Sequence, residues 1–283
     1  MLTPRTAATL LISGIIFGVL LKYCVLLNTP TYPIIPIHSY SECNNVLDSL
    51  DENSLVLFDV DDTLLYAPDA LANLRKKDLS WWFRLKMLLK FPTRFTNTAW
   101  MEPLSYMMHQ APRMLIEPTI PTLINTLHQR NIPVLALTSM ESGGCGPIPH
   151  FPEWRRAMLA TLGITFSTRF NDTTFSTLPM RRNTHPVLYQ GALCANQQDK
   201  GLVLAAFLDH TGFAPSRVVF FDDSRTALQE VGAACARRSI PCMLFHYKQA
   251  ELLPTVFCHE RATAQLAHLI THKQWISDDN YPH

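Results

Sequence analysis

Three carboxylates follow directly after a short apolar run in the first quarter of the chain. Residues 55–58 read Leu-Val-Leu-Phe, and Asp59, Asp61 and Asp62 come next. An apolar run bounded by polar residues indicates a strand buried on both faces of a parallel sheet. Close carboxylates repel one another and resist burial, so a divalent cation or chemistry on an anion would make the cluster tolerable. The simpler alternative is a solvated turn after a core strand.

Two later apolar runs also end in polar groups, and a helix with a basic residue at its start lies between them. Ligands of open α/β sheets bind beyond the carboxyl ends of the strands, which is where these groups are predicted to lie. The order along the chain is acid, hydroxyl, lysine and acid, which favours a site over a solvated turn. The groups concerned are Thr138 and Ser139, then Lys200, then Asp222 and Asp223.

This order of motifs resembles the haloacid dehalogenase-like (HAD) superfamily, whose usual members are magnesium-dependent phosphatases. The first motif, Phe-Asp-Val-Asp-Asp-Thr, is also similar to that of exported class B acid phosphatases. The resemblance covers about residues 54–247 and is most specific at residues 59–63, because the later motifs are single residues. It implies an α/β fold: a three-layer Rossmann-like HAD core with a parallel sheet, and a small helical cap inserted after the first strand.

The resemblance implies a catalytic role for each residue of the series. Asp59 would attack a phosphoryl group and form an aspartyl-phosphate. Asp61 would protonate the leaving oxygen and then deprotonate the attacking water. Thr138, with Ser139 as the alternative, would donate its hydroxyl to a phosphoryl oxygen. Lys200 would neutralise charge on the phosphoryl group and on Asp59.

Mg²⁺ is the cofactor that the resemblance implies, and oxygen ligands suit such a hard cation. The expected ligands are the carboxylates of Asp59 and Asp222 and the backbone carbonyl of Asp61. Asp223 is either a second ligand or a support for Lys200. Helix capping is an alternative role for the two later acids, and it is compatible with metal binding.

Two positions depart from the superfamily's usual pattern. Asp62 stands where glycine is common, but the class B enzymes share this acid, so it does not count against catalysis. Residues 140–142 read Met-Glu-Ser where many relatives place an arginine or asparagine soon after the hydroxyl residue. This second departure leaves the contacts with the substrate open.

Composition and charge limit the classes of function. The chain has 283 residues, 47% of them hydrophobic and 17% charged, with a net charge of +1. This length can bury a full α/β core and carry an accessory domain, and the charge gives no reason to expect nucleic acid as a partner.

The seven cysteines form no Cys-x-x-Cys pair, which argues against structural zinc, although Cys235 and Cys242 could form a disulfide. His268 and His272 lack a third ligand, and we interpret them as solvated.

The N-terminus predicts a membrane segment. Residues 7–27 are apolar apart from Lys22, and no small-x-small cleavage site follows, so an uncleaved transmembrane anchor is favoured over a signal segment. Arg5 precedes the segment, and the next basic residue after Lys22 is Arg75. This asymmetry places the bulk of the chain outside the cytoplasm. The expected location is the bacterial inner membrane with the domain in the periplasm, or export of the protein if the N-terminal segment is cleaved.

The chain is predicted to have four parts. Residues 1–27 form the anchor or signal segment, and residues 28–53 form a proline-containing linker and an N-terminal helix. Residues 54–66 and 119–283 form the HAD-like core, in which segments 175–180 and 186–193 are predicted to pair as a hairpin. Residues 67–118 form the helical cap.

The predicted cap is basic and rich in aromatic residues. Between residues 66 and 118 lie eight Lys or Arg and four Asp or Glu. The simplest interpretation is a helix whose aromatic residues pack inward while its basic residues face water. The alternatives are a pocket for an anionic, ring-bearing substrate and a surface that rests on anionic lipid.

The leading hypothesis is a membrane-anchored, magnesium-dependent phosphatase that hydrolyses a small phosphomonoester through an aspartyl-phosphate. One alternative is a phosphotransferase or phosphomutase of the same fold. Another is a catalytically idle HAD-like module that binds protein or lipid. The complete series argues against the idle module, because an idle site has no reason to retain carboxylates that repel one another.

Overall fold

A mainly parallel sheet forms the centre of the protein, which is described by a computed structural model at residues 32–72, 101–253 and 258–281. Within these ranges eight strands form the sheet, in the order β1-β10-β9-β2-β5-β8-β7-β6, and β3 and β4 pair separately. The first six strands of that order run parallel, and β7 and β6 are antiparallel additions at one edge. In chain order the strands are β1 (Ile34–Ile37), β2 (Ser54–Phe58), β3 (Leu65–Tyr66), β4 (Met114–Leu115), β5 (Val134–Thr138), β6 (Thr173–Thr174), β7 (Val187–Tyr189), β8 (Ala192–Cys194), β9 (Arg217–Asp222) and β10 (Cys242–Tyr247).

Helices cover both faces of the sheet. Successive side chains of a strand point to opposite faces, so Val56 and Phe58 pack on one side while Leu55 and Leu57 pack on the other. In the described ranges the helices are α1 (Asn44–Asp48), α2 (Met101–Gln110), α3 (Ile120–Gln129), α4 (Phe151–Thr161), α5 (Lys200–Thr211), α6 (Arg225–Arg237) and α7 (His259–His272). Helices α3 and α4 cover the first face, and α5 and α6 cover the second. The protein is therefore a mixed α/β fold, as the sequence predicts.

The strand order places the predicted site at the middle of the sheet. Strand β2 lies between β9 and β5, so the chain builds outward from β2 on both sides. Ligand crevices of doubly wound folds form at such a point, beyond the carboxyl ends of the strands. Asp59 is the residue that follows β2.

Two local predictions differ from the structure. Part of the predicted linker is the edge strand β1, in which Ile34, Ile35 and Ile37 supply apolar side chains and the edge position tolerates Pro36. The predicted hairpin has the wrong strands: β6 pairs with β7, and β7 turns into β8, which is a parallel neighbour of β5. The turn is Gln190-Gly191, and both residues have positive φ, at 44° and 82°. A two-residue hairpin loop requires this geometry, and the Gln-Gly pair was its signal.

Parts of the chain that carry other predictions lie outside the described residues. These are residues 1–31, which include the predicted anchor, and residues 73–100, which form most of the predicted cap. Of the cap region, the structure describes α2 and β4, and β4 pairs with β3 at the end of the core segment 54–66. No helix in ranges 32–72, 101–253 and 258–281 combines the length and apolar character needed to span a bilayer. All six cysteines in these ranges, Cys235 and Cys242 included, are free thiols.

Candidate active site

Asp59 is fixed at the end of β2 by the neighbouring strand. Its backbone N–H donates to the carbonyl of Phe221 in β9, at 2.9 Å, so the ladder continues to the first acid of the motif. The residue is only 7% exposed. A carboxylate with so little contact with water requires positive charge nearby.

Lys200 supplies that positive charge from the first turn of α5. Its Nζ donates to Asp59 Oδ1 at 2.6 Å and to Asp222 Oδ2 at 2.7 Å, and the side chain is almost fully buried. The helix start is fixed because Asp199 caps it by accepting from the N–H of Leu202 at 2.9 Å. The capped start of α5 thus fixes the backbone of Lys200, and the Lys200 side chain joins two acids at the ends of different strands.

The residue after Lys200 explains how α5 approaches α6 so closely. A Cβ on Gly201 would lie 2.1 Å from the carbonyl oxygen of Glu230, a distance that no side chain allows. The Lys200 N–H donates to the carboxylate of Glu230, at 2.9 Å. Glycine at 201 therefore permits the packing that seats Lys200 beside the strand ends.

Asp222 and Asp223 complete an acidic cluster with Asp59. Asp222 ends β9, is fully buried and accepts from the N–H of Ser224 at 2.7 Å. The backbone carbonyl of Asp223 accepts from His246 Nε2 at 2.9 Å, which fixes the loop after β9. One carboxylate oxygen from each of the three acids can be chosen so that all lie within 4.8 Å of one another.

The electrostatics of this cluster fit a divalent cation. Burial raises the pKa of Asp59 to about 7, with a further rise from Asp222, although Lys200 opposes the shift. Burial likewise raises the pKa of Asp222, against the effect of Lys200. Burial disfavours charge on Lys200, but the two acids outweigh it and raise the pKa of the amine. The ammonium of Lys200 thus bonds to two of the three acids, and an oxygen-only donor set with excess negative charge is what Mg²⁺ requires.

The predicted hydroxyl residues lie on the same cavity as the acids. Thr138 ends β5 and is buried, whereas Ser139 is exposed, and both line a cavity of about 640 Å³ together with Asp59 and Lys200. Thr138 Oγ1 accepts from the N–H of Met140 at 3.3 Å, which leaves its own proton available to another acceptor. Either hydroxyl remains a candidate for contact with a phosphoryl oxygen.

Asp61 differs from the other acids because it forms its own ion pair. Arg155 donates to both of its carboxylate oxygens, each at 2.8 Å, in the paired geometry typical of arginine and carboxylate. The walls of the cavity displace part of the water around Asp61, which opposes its ionisation, but the charge and hydrogen bonds of Arg155 outweigh this effect and lower its pKa. Its side chain is 54% exposed, lies on the cavity and is not part of the cluster of three acids. A role for its backbone carbonyl in metal binding stays a prediction.

The turn after Asp61 accounts for the acid at position 62. Asp62 has a φ of 63°, and its N–H donates to the carbonyl of Leu65 at 2.7 Å. Glycine adopts this left-handed conformation most easily, and aspartate is among the residues that tolerate it. The departure from glycine is therefore compatible with the turn that places Asp61 over the cavity.

Arg155 is the main site residue that the sequence analysis missed. It lies on α4 and is 2% exposed, and its Nε has no hydrogen-bond partner among the described residues. Phe151 and Leu159, one turn to either side on the same face, are also buried. A basic residue within the apolar stripe of a helix was the available signal, because arginine is rarely buried without a partner.

Comparisons with known proteins place the chain in a family. A model of the family described as "Protein of unknown function (DUF2608)" matches residues 36–281. An uncharacterized protein of Rickettsia prowazekii is 24% identical over 248 residues, which cover 87% of this chain and 89% of the relative. A Chlamydia trachomatis protein named "Putative outer membrane protein" is 24% identical over 220 residues, or 76% of this chain and 77% of that one.

One solved structure is also similar over most of the chain. It is a HAD family hydrolase from Salmonella enterica serovar Typhi, with 13% sequence identity and 72% coverage of both chains. Its TM-score is 0.34.

Proposed function

Because the chain belongs to the family of proteins of unknown function DUF2608, we propose a function from its own site. We propose that the protein is a HAD-like, magnesium-dependent phosphatase that hydrolyses a small phosphomonoester through an aspartyl-phosphate on Asp59. One observation carries this proposal: the amine of Lys200 bonds to Asp59 and to Asp222 at the edge of a cavity. These three residues come from distant parts of the chain, so the fold, and not local sequence, assembles them.

The first half of the reaction would use Asp59 as nucleophile. A carboxylate oxygen of Asp59 attacks phosphorus, the bond from phosphorus to the leaving oxygen breaks, and the leaving oxygen takes up the proton of the protonated Asp61. Lys200 stays within hydrogen-bond distance of Asp59, so it can offset negative charge on the transferred group. Thr138 or Ser139 would donate a hydroxyl to a phosphoryl oxygen.

The second half would use Asp61 as a base. Water attacks the phosphorus of the aspartyl-phosphate while Asp61 accepts its proton, and phosphate and free Asp59 result. Arg155 holds Asp61 in place over the cavity and favours its ionised form, which is the form that this step requires. Proton donation in the first half requires this ion pair to loosen.

Asp59, Asp222 and Asp223 are the residues that would hold Mg²⁺. The bound ion would offset the charge of the acids and of the phosphoryl oxygens. The oxygen-only donors and the excess of acid over base support this part of the proposal.

We place the protein in the bacterial cell envelope, anchored in the inner membrane with the domain facing the periplasm. The apolar residues 7–27 and the basic residue before them support this location. The name of the Chlamydia trachomatis relative refers to the outer membrane, so it supports the envelope as the location and not the inner membrane in particular.

The test is phosphate release by the purified full-length protein from a panel of phosphomonoesters, with Mg²⁺ or with EDTA. Asp59→Asn is the inactive variant, and Asp48→Asn is the matched control because Asp48 is exposed and does not line the cavity. We expect release to require Mg²⁺, to be lost in Asp59→Asn and to persist in Asp48→Asn. Equal rates for the intact protein and Asp59→Asn over the whole panel would contradict the proposal. Transfer of phosphate to added glycerol in preference to water would favour a phosphotransferase.

A further inference from the structure

The basic residues that line the cavity differ in whether an acid neutralises them. Lys200 bonds to Asp59 and Asp222, and Arg155 bonds to both oxygens of Asp61. Arg182 forms an ion pair with Glu141. Among the described residues that line the cavity, Arg181 is the basic side chain for which no carboxylate lies within ion-pair distance.

The backbone of Arg181 is held close to the catalytic strand β5. Arg181 and Thr184 exchange two backbone hydrogen bonds, at 2.8 and 3.1 Å, and form a tight turn. Asn196, which is fully buried, donates its amide to the carbonyls of both residues, at 3.1 and 2.7 Å. The backbone N–H of Asn196 donates to the backbone carbonyl of Met140, which lies two residues after Thr138. A buried side chain thus connects the turn to the end of β5.

The guanidinium of Arg181 is also partly oriented before any ligand binds. Its Nη1 donates to the backbone carbonyl of Gln197 at 3.0 Å, and Gln197 also lines the cavity. Because this bond uses one donor of five, the guanidinium retains donors for an anion. A side chain that is already oriented loses less conformational entropy when it binds.

The cavity has room for more than a phosphoryl group. Its volume of about 640 Å³ is that of a site for a small organic molecule. Met101, Leu104 and Met108 of α2 supply an apolar wall, on which the carbon skeleton of a leaving group can pack. The acids of the strand ends and Arg181 line this same cavity.

We propose that Arg181 forms an anion-binding subsite, so that the preferred substrate is a phosphomonoester whose leaving group carries a second anionic group. This inference rests on the proposed function, and it adds the chemical class of the substrate. Carboxylate and phosphate would both satisfy the guanidinium, which binds either in a paired geometry.

Three aryl phosphates test the subsite: phenyl phosphate, 4-carboxyphenyl phosphate and 1,4-phenylene bisphosphate. The measured quantity is the preference, defined as kcat/KM for each anionic substrate divided by kcat/KM for phenyl phosphate, with full-length protein and Mg²⁺. We expect this preference to exceed unity in the unsubstituted protein and to be about tenfold lower in Arg181→Gln, because the loss of one hydrogen bond to a charged group has an effect of about this size. Arg181→Lys keeps the charge and should retain part of the preference. Comparison of the two anionic substrates identifies the anion that the subsite favours.

The control is Arg156→Gln, which removes the same charge from an exposed arginine of α4 outside the cavity. An unchanged preference in Arg181→Gln, or an equal fall in Arg156→Gln, would overturn the subsite. Thermal unfolding of each variant shows whether the turn has been damaged, and the partial rescue by lysine separates charge from folding.

A second measurement keeps failure of the subsite distinct from failure of the proposed function. Calorimetric titration of Asp59→Asn with 1,4-phenylene bisphosphate, in Mg²⁺, measures binding without hydrolysis. We expect affinity to fall about tenfold when Arg181→Gln is added to Asp59→Asn. If the intact protein hydrolyses no phosphomonoester of the whole panel, these three included, the proposed function fails, and this titration alone decides the subsite. Equal affinity of the single and double variants would reject it.

Discussion

Replacing Asp59 by asparagine is expected to stabilise the metal-free protein at neutral and alkaline pH. Burial raises the pKa of Asp59 from 3.8 to about 7, with Lys200 opposing the shift and Asp222 adding to it. Because the folded pKa lies above the unfolded pKa, the contribution of this acid to stability is complete below about pH 4. That contribution is lost as the pH rises towards about 7. Asparagine has the shape of the protonated acid and does not ionise, so it avoids this loss.

The magnitude follows from the shift in pKa. One pKa unit corresponds to about 1.4 kcal/mol, so a rise from 3.8 to about 7 sets a ceiling of about 4 kcal/mol. Entry of water into the metal-free site lowers the cost of the buried charge. We therefore expect Asp59→Asn to increase the free energy of unfolding by about 2 kcal/mol at about pH 8, and by less at about pH 5.

Urea denaturation of the full-length protein in EDTA, at both pH values, measures this difference. Asp48→Asn is the control, since Asp48 is exposed, and it should show no comparable gain. Millimolar Mg²⁺ should reverse the order of stability at alkaline pH, because ligand at a hundredfold excess over its Kd stabilises the intact protein by about 2.7 kcal/mol. The reasoning would be refuted if Asp59→Asn were no more stable than the intact protein in EDTA at about pH 8.

Three further substitutions test the supports of the site. Arg155→Met should lower kcat by about tenfold or more in the phosphate-release assay, because Asp61 loses the bonds that align it; an unchanged kcat would remove Arg155 from the mechanism. Gly201→Ala should lower the free energy of unfolding by about 2 kcal/mol in urea, since its Cβ would lie 2.1 Å from the carbonyl oxygen of Glu230; no loss would mean that α5 and α6 separate freely. Asn196→Ala should cost about 1–3 kcal/mol by the same measurement, because two carbonyls lose a buried donor; a neutral result would show that water replaces the amide.

The edge strands show where sequence patterns fall short of the fold. Residues 34–37 contain a proline within a proline-rich stretch, and this pattern predicts a linker, yet they pair with β10. Pairing at the edge of a sheet depends on the strand that is available there, and a short segment does not encode its partner. Strand β8 lies inside the sheet, between β5 and β7, and the sequence places it in the wrong hairpin because its three residues do not encode their partner either, although Gln190-Gly191 marks its turn.

Asp61 and Arg155 show the corresponding limit at the site. The spacing of the first motif predicted that Asp61 lies close to Asp59, and it lines the same cavity. The partner of Asp61 is 94 positions away on α4, on a helix face that is otherwise apolar. The residue that neutralises Asp61 depends on how α4 packs, because residues far apart in the sequence can be neighbours in the fold.

The sequence by itself determined the buried parallel strands and the polar groups that end them, since apolar runs and the residues that follow them are local features. It also placed a lysine at the start of a helix, where capping and periodicity are again local. Only the tertiary structure decided that Lys200 bonds to both Asp59 and Asp222 and that Arg155 holds Asp61. It also decided that Arg181 lines the same cavity with no carboxylate of the described residues within ion-pair distance. These contacts depend on the order of the strands and on how closely the helices approach one another. Both are set by the burial of apolar surface, which involves the whole chain at once.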